Sequence, residues 1–273
     1  MNLGIVGQGF VGNAVFEKFK NFFNVFTFDI NNDLCNSSIE EIKEKCRIVF
    51  ICLPTPMNKD GSCDISIVEN TLKLFDDKKD IIIVNKSTVP PGTTENFNKK
   101  HINNQIVFNP EFLTERNAVE DFNNQSRVIL GGPRPATTIL KSLFNKVFPK
   151  ANVIKTGSTH AEMIKYFTNT FLATKVSFAN EIYQLCLKLN LDYDKVVEYA
   201  LYDNRIGKSH LNVPGPDGDL GFGGHCFPKD LSALISLCEN VNSENSLLKA
   251  VRKTNDIVRK NRDWEQMKGR AVN

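Results

Sequence analysis

The sequence predicts an α/β chain in which a doubly wound parallel sheet over residues 1–157 is followed by an all-helical domain over 158–273. Three observations predict it. Short continuous apolar runs alternate with segments of helical spacing through the first half, the pattern of strands and helices in turn. A glycine-rich turn separates the first run from the first helical segment. From Ala161 to Leu189 there is neither glycine nor proline, and apolar residues recur at helical intervals.

Residues 3–6 are an apolar strand, followed at once by Gly7-Gln8-Gly9-Phe10-Val11-Gly12 and an amphipathic segment to about Lys20. A GxGxxG turn between a strand and a helix is the setting that gives the motif meaning. Gly7 allows the tight turn, Gly9 the close approach of a pyrophosphate, and Gly12 tight helix–sheet packing, with the anion at the helix N-terminus. The second strand, Val25-Phe26-Thr27-Phe28, ends in Asp29, about 20 residues on from the motif. A carboxylate there bonds a ribose 2′-hydroxyl and repels a 2′-phosphate, so a Rossmann-type site for NAD rather than NADP is expected.

The alternation continues. Ser38 is placed to cap a short helix through Lys45, and residues 48–53 are a continuous apolar run, as a strand buried on both faces requires. That run stops at Leu53-Pro54-Thr55-Pro56. Helical spacing over 65–75 leads to strand 81–84, which ends in Lys86-Ser87-Thr88-Val89-Pro90. Both loops lie at carboxyl ends of strands, where open α/β sheets bind ligands. A helix to about Lys100 and a strand over 106–108 precede Asn109-Pro110-Glu111-Phe112-Leu113-Thr114-Glu115-Arg116. Glu111 and Glu115, four apart after a sheet strand, suit water activation or recognition of sugar hydroxyls; a solvated helix start is the plainer reading.

Composition limits the function classes. The formal net charge of +3, from 34 basic and 31 acidic residues, is small and dispersed, which argues against a nucleic-acid partner. No apolar run has the roughly 18 residues of a membrane span. Seven cysteines form an odd set with no CxxC pair and no metal spacing. With no basic n-region at the N-terminus, they read as reduced thiols of a cytoplasmic protein, and no metal is expected.

The segment 161–189 reads as one helix of roughly 40 Å, the kind that anchors a helical domain or a dimer interface. Lys165 and Asn169 share a face near its start. A helix over 194–201 precedes Arg205, and helices near 229–239 and 246–261 close the chain. Between them lies Gly221-Phe222-Gly223-Gly224-His225-Cys226-Phe227-Pro228-Lys229-Asp230. Pro228 suits the first position of a helix, which places Cys226 just ahead of its N-terminus and Asp230 in its first turn. A helix N-terminus favours thiolate over thiol, so the stretch reads as a nucleophile on a glycine hinge; a buried structural cysteine is the plainer alternative.

Taken together, these motifs resemble the UDP-glucose/GDP-mannose (nucleotide-sugar) dehydrogenase family, in the family's order and over nearly the whole chain. The match runs through GxGxxG at 7–12, Asp29, Pro54-Thr55-Pro56, Lys86-Ser87-Thr88-Val89-Pro90, Asn109-Pro110-Glu111-Phe112-Leu113, Lys165 with Asn169, Arg205, and the glycine–cysteine segment 221–230. The resemblance implies oxidation of a sugar C6 alcohol to the carboxylate with two NAD, UDP-glucose being the expected substrate and polysaccharide biosynthesis the expected use. It implies Cys226 as the nucleophile of a thiohemiacetal and thioester. Lys165 and Asn169 are implied as oxyanion partners, with Asp230, Glu111 and Thr88 assisting proton transfer and hydrolysis. Residues 7–12, Asp29, Leu53, Pro54, Thr55, Ser87, Thr88 and Glu115 are implied cofactor contacts. Glu111, Phe112, Leu113, Glu115, Lys165, Asn169, Phe222 and Gly223 are implied substrate contacts, and Arg205 reaches the neighbouring subunit's site in an implied homodimer through the helical domain.

Some features depart from the family pattern. The chain stops at Asn273, shortly after the helix that in the full-length family leads to a third, nucleotide-gripping domain, so that domain is expected to be absent or supplied by a separate chain. Arg116 stands where a small residue is common and His225 where serine is common, and the stretch from Arg205 to Gly221 is longer than in the animal enzymes. Three alternatives stay open: a single-step hydroxyacid-type dehydrogenase, a non-catalytic NAD- or sugar-nucleotide-binding subunit, and a fragment completed by another chain.

Overall fold

The computed structural model describes residues 1–273. By its contacts the chain divides into two compact units, Met1–Thr55 with Ile65–Lys165, and Pro56–Asp64 with Tyr166–Asn273. The sequence places its boundary at 157/158, which assigns the whole long helix to the second domain. The contact division instead falls inside that helix, after its first two turns.

The first unit holds seven strands: β1 (Asn2–Val6), β2 (Asn24–Phe28), β3 (Ile48–Ile51), β4 (Ile82–Asn85), β5 (Gln105–Phe108), β6 (Arg127–Gly131) and β7 (Asn152–Thr156). Their helices are α1 (Phe10–Phe19), α2 (Ile39–Lys45), α3 (Ser66–Lys73), α4 (Thr93–Lys100), α5 (Ala118–Asn123) and α6 (Arg134–Val147). The sheet order is β2-β1-β3-β4-β5-β6-β7. All neighbours are parallel except β5 and β6, which meet antiparallel through the single pair Phe108–Gly131. The doubly wound Rossmann-type sheet is therefore as expected on its β1–β5 side and mixed beyond it.

Side-chain alternation explains the two-sided winding. Leu3, Ile5, Ile48, Phe50, Ile82, Val84 and Val107 face one way, into a core shared with Phe19 of α1, Phe122 of α5 and Phe144 of α6. Val49, Ile51, Ile81, Ile83 and Ile106 face the other, against Ile42 of α2, Leu72 of α3 and Phe97 of α4. Ser38 caps α2 as its sequence suggests, its hydroxyl accepting from Glu41 N at 3.2 Å.

The helix α7 (Ser158–Leu189) has 32 residues and runs about 48 Å. Its first turns belong to the first unit, where Ala161 and Ile164 pack with Val89, Phe108 and Ile129. The rest begins the second unit, followed by α8 (Tyr193–Ala200), α9 (Cys226–Asn240) and α10 (Ser246–Val258). Ala173, Phe222, Leu231, Ile235 and Val251 form one core there; Ala179, Cys186, Tyr193, Leu211 and Val213 form another. The chain's end folds onto the segment 56–64, with Met57 N donating to Ala271 O at 2.8 Å and Asn273 N to Met57 O at 3.1 Å. No helix is long and apolar enough to cross a membrane.

Candidate active site

In the first unit the glycine turn does what its spacing requires. Gly7 has φ +92°, and a Cβ at Gly12 would lie 1.9 Å from the Gly7 carbonyl oxygen. The α1 ladder starts with Asn13 N to Gly9 O at 2.9 Å, so the helix's leading amides point forward over the turn. At Gly9 a Cβ would meet nothing within 4 Å, so that approach is open. Gln8 is 9% exposed and its side-chain Nε2 has no partner, a buried donor set in the same turn. Asp29 is held by Gln8 N (2.6 Å to Oδ2) and Asn31 N (2.9 Å to Oδ1). A carboxylate has about four acceptor sites, so two remain for ribose hydroxyls. These residues fit a dinucleotide: forward-facing amides and an orphaned donor for the pyrophosphate, and a fixed acceptor for the ribose.

The two strand-end loops are tied together. Leu53 N donates to Ser87 Oγ at 2.9 Å, and Thr55 Oγ1 donates to Thr88 O at 2.7 Å. Asn85, fully buried, braces the second loop by accepting from Ser87 N at 3.1 Å.

Beside them lies a buried charge cluster. Lys165 Nζ donates to Glu111 O at 2.7 Å and Oε1 at 3.0 Å, and Leu113 N donates to Glu111 Oε2 at 2.7 Å. Burial alone pushes the Glu111 carboxyl up, but Lys165, the Leu113 amide and Lys86 together hold it below the usual carboxylate range. Lys86 donates to Asn109 Oδ1 at 2.9 Å, and burial brings its ammonium down to about 8. The Phe112 ring is capped by the Arg127 guanidinium at 4.4 Å from its centroid. Glu115 starts a short 3₁₀ turn, Glu115–Asn117, on the surface.

In the second unit Cys226 is the first residue of α9, with His225 as N-cap, and the thiol Sγ is 3.3 Å from His225 Nε2. Pro228 is thus the third helical residue rather than the first, and Asp230 the fifth. The first turn's amides need no intrahelical acceptor, so a proline fits anywhere within it and not at the first position alone. Asp230 is 1% exposed; its Oδ2 accepts from Asn169 Nδ2 at 2.6 Å and its Oδ1 from Lys229 Nζ at 2.5 Å. Burial disfavours the Lys229 ammonium, but Asp230 outweighs it and the pKa is raised. The ring of Phe222 is a core group, and its backbone N–H and C=O are both bonded to the Asn255 side chain. Arg205 extends to solvent, its side chain 90% exposed and paired with Asp203.

Comparison with known proteins identifies the family. Residues 31–150 match the NAD binding domain of the UDP-glucose/GDP-mannose dehydrogenase family, and residues 159–257 match that family's central domain. The UDP-glucose 6-dehydrogenase AglM of Haloferax volcanii is 32% identical over 306 residues, covering 94% of this chain and 70% of that protein. The chain belongs to the UDP-glucose/GDP-mannose dehydrogenase family. UDP-glucose 6-dehydrogenase TuaD of Bacillus subtilis is 37% identical over 222 residues, 78% of this chain and 47% of that protein. A UDP-glucose dehydrogenase structure from Pyrobaculum islandicum superposes with a TM-score of 0.85 at 30% identity, covering 94% of this chain and 68% of that one. The chain spans about half the length of the first curated relatives it matches.

The match over residues 31–150 to the family's NAD binding domain makes NAD the cofactor. Several residues in these clusters carried no role in the sequence reading: Lys86 with Asn109, Lys229, and Glu162. Glu162 is fully buried and accepts from Gly92 N (2.6 Å) and Thr94 N (2.7 Å) at the start of α4. Lys86 and Lys229 stood inside quoted motifs, but only folding shows that they are buried and what they face.

Proposed function

We propose that this chain oxidises a nucleotide sugar at C6, from alcohol to carboxylate, with UDP-glucose as substrate and UDP-glucuronate as product. Cys226 at the leading end of the 15-residue helix α9, in a chain of this family, carries the reading. NAD supplies the hydride acceptor for each of two oxidations. The protein's own groups do the rest. As the alcohol is first oxidised, its hydroxyl proton passes to water or a carboxylate. The Cys226 thiolate then forms a C–S bond to the aldehyde carbon, and the resulting oxyanion is met by the Lys165 ammonium and the Asn169 amide. The second oxidation turns this thiohemiacetal into a thioester. Water attacks the thioester carbon, the C–S bond breaks, and the thiolate leaves. Thr88 with Glu111 or Asp230 orients that water and takes its proton.

A homodimer through the helical domain belongs to the same reading. On α7, Phe167, Phe171, Phe178 and Leu185 are between 53% and 67% exposed, and the last three repeat every seven residues. That is a seam for a second helix. In the dimer Arg205 would serve the neighbouring subunit's substrate.

Acid quench during turnover with UDP-glucose and NAD, followed by peptide mapping, tests the proposal. A nucleotide-sugar adduct on the Cys226 peptide is the expected result. Product formation with an unmodified Cys226 throughout contradicts the covalent route, and no oxidation of any nucleotide sugar contradicts the activity itself.

A further inference from the structure

Four residues precede the His225–Cys226 pair, and their backbone is held by side chains from remote parts of the second unit. Gly221 N donates to Asn180 Oδ1 on α7 at 3.0 Å. The Asn255 amide on α10 takes both polar groups of Phe222: its Oδ1 accepts from Phe222 N at 2.7 Å and its Nδ2 donates to Phe222 O at 3.0 Å. Gly224 N donates to both Asp263 oxygens, at 3.2 and 3.1 Å. Gly223 lies so close that a Cβ there would sit 2.3 Å from Arg259 and 2.4 Å from Asp263. Arg259, its side chain 1% exposed, pairs with Asp217 at 2.7 Å and Asp263 at 3.5 Å.

We propose that Asn255 and the Arg259–Asp263 pair are positioning residues for the Cys226 nucleophile, setting through the backbone of 221–224 where the thiol meets the N-terminus of α9. Asn180 and Asn255 are 1% and 3% exposed, so Asn180 Oδ1 and both ends of the Asn255 amide serve this loop rather than water. Gly221 and Gly224 have φ +68° and +69°, and three glycines in four residues have the greatest backbone freedom to lose. The side-chain acceptors replace the ladder bonds that such a loop lacks. The inference rests on Cys226 being the nucleophile, and it adds residues about 30 to 40 positions away that act on it through the backbone.

The test is the pH profile of Cys226 alkylation by iodoacetamide, read by peptide mass spectrometry on the full chain without substrate. Access to the thiol scales the plateau rate, whereas its place at the helix end moves the inflection. His225, 3.3 Å from the thiol, and Lys229, whose ammonium feels the thiol's charge, are unchanged in every variant. Asn255→Asp puts an oxygen against Phe222 O, and Asp263→Ala frees Gly224 N. Each is expected to raise the inflection by about half a pH unit. Asp263→Asn, which keeps one acceptor, should recover most of the shift. Tyr193→Phe, which removes a buried bond to Leu211 O elsewhere in the unit, is expected to leave it in place. Coincident inflections in wild type, Asn255→Asp and Asp263→Ala overturn the proposal, as does a wild-type inflection equal to that of the urea-unfolded chain. Because no turnover is needed, an inactive chain with the expected shifts would refute the proposed reaction and leave the positioning intact.

Discussion

Replacing Lys165 by Met removes the ammonium from a carboxylate that is 7% exposed. In the wild type, Glu111 accepts two bonds, from Lys165 Nζ at 3.0 Å and Leu113 N at 2.7 Å, while Nζ also holds Glu111 O at 2.7 Å. Breaking a buried pair by deleting one partner costs about 3–5 kcal/mol, whereas replacing both partners by apolar or neutral groups costs far less. The sign with pH follows from the carboxyl. In the wild type its pKa is depressed, so its contribution is present above the unfolded value of 4.5 and is lost as pH falls through the lower folded value. In Lys165→Met burial dominates and the pKa rises above 4.5, so the variant loses stability as pH climbs from there toward neutrality. The gap between the two proteins therefore widens from pH 5 to pH 7.5. Urea unfolding at both pH values measures it, with Lys165→Met/Glu111→Gln closing a double-mutant cycle. A Lys165→Met protein within about 1 kcal/mol of wild type at pH 7.5, or a gap that shrinks as pH rises, refutes the reasoning.

Three other outcomes follow from single features. Gly12→Ala drives a methyl to 1.9 Å from Gly7 O, and overpacking of that kind costs about 1–3 kcal/mol; a Tm fall of several degrees and at least tenfold weaker NAD binding by calorimetry are expected, and unchanged values would contradict the turn geometry. Lys86, brought down to about 8 from 10.5, binds its proton more weakly folded than unfolded. Stability should therefore rise by about 3 kcal/mol between pH 8 and 10.5 relative to Lys86→Met, as chemical denaturation at intervals across that range will show. Phe178→Asp places a charge in the seven-residue seam and should convert a dimer to monomer in light scattering, with a wild-type monomer contradicting the seam.

Much of this fold was legible because its signals are local. GxGxxG between a strand and a helix, Asp29 at the next strand end, and Ser38 as a cap each depend on neighbours within a turn or one βαβ unit. The sheet beyond β5 was not legible. β7, Asn-Val-Ile-Lys-Thr, buries only Val153 and lies at the sheet edge, so it lacks the apolar run that marked the interior strands. The antiparallel step rests on one residue pair and leaves no pattern in the chain.

The site divides the same way. Cys226, Glu111, Lys165 and Asp29 stood out by motif, but their partners come from distant sequence. Lys86 meets Asn109 because β4 and β5 are parallel neighbours, 23 residues apart in the chain. Asn255 reaches Phe222 across 33 residues and Asn180 reaches Gly221 across 41. An asparagine on an otherwise ordinary helix carries no sign of the loop it will hold. Pro228 misplaced the start of α9 because proline is tolerated throughout a first helical turn, so its position there fixes the boundary only to within that turn.

The most direct measurement is the ratio of NADH formed to UDP-glucose consumed by the purified chain, beside Cys226→Ser. The account predicts two NADH per sugar with UDP-glucuronate as product, and loss of that product in the variant. One NADH per sugar, or an undiminished ratio of two in Cys226→Ser, would contradict it.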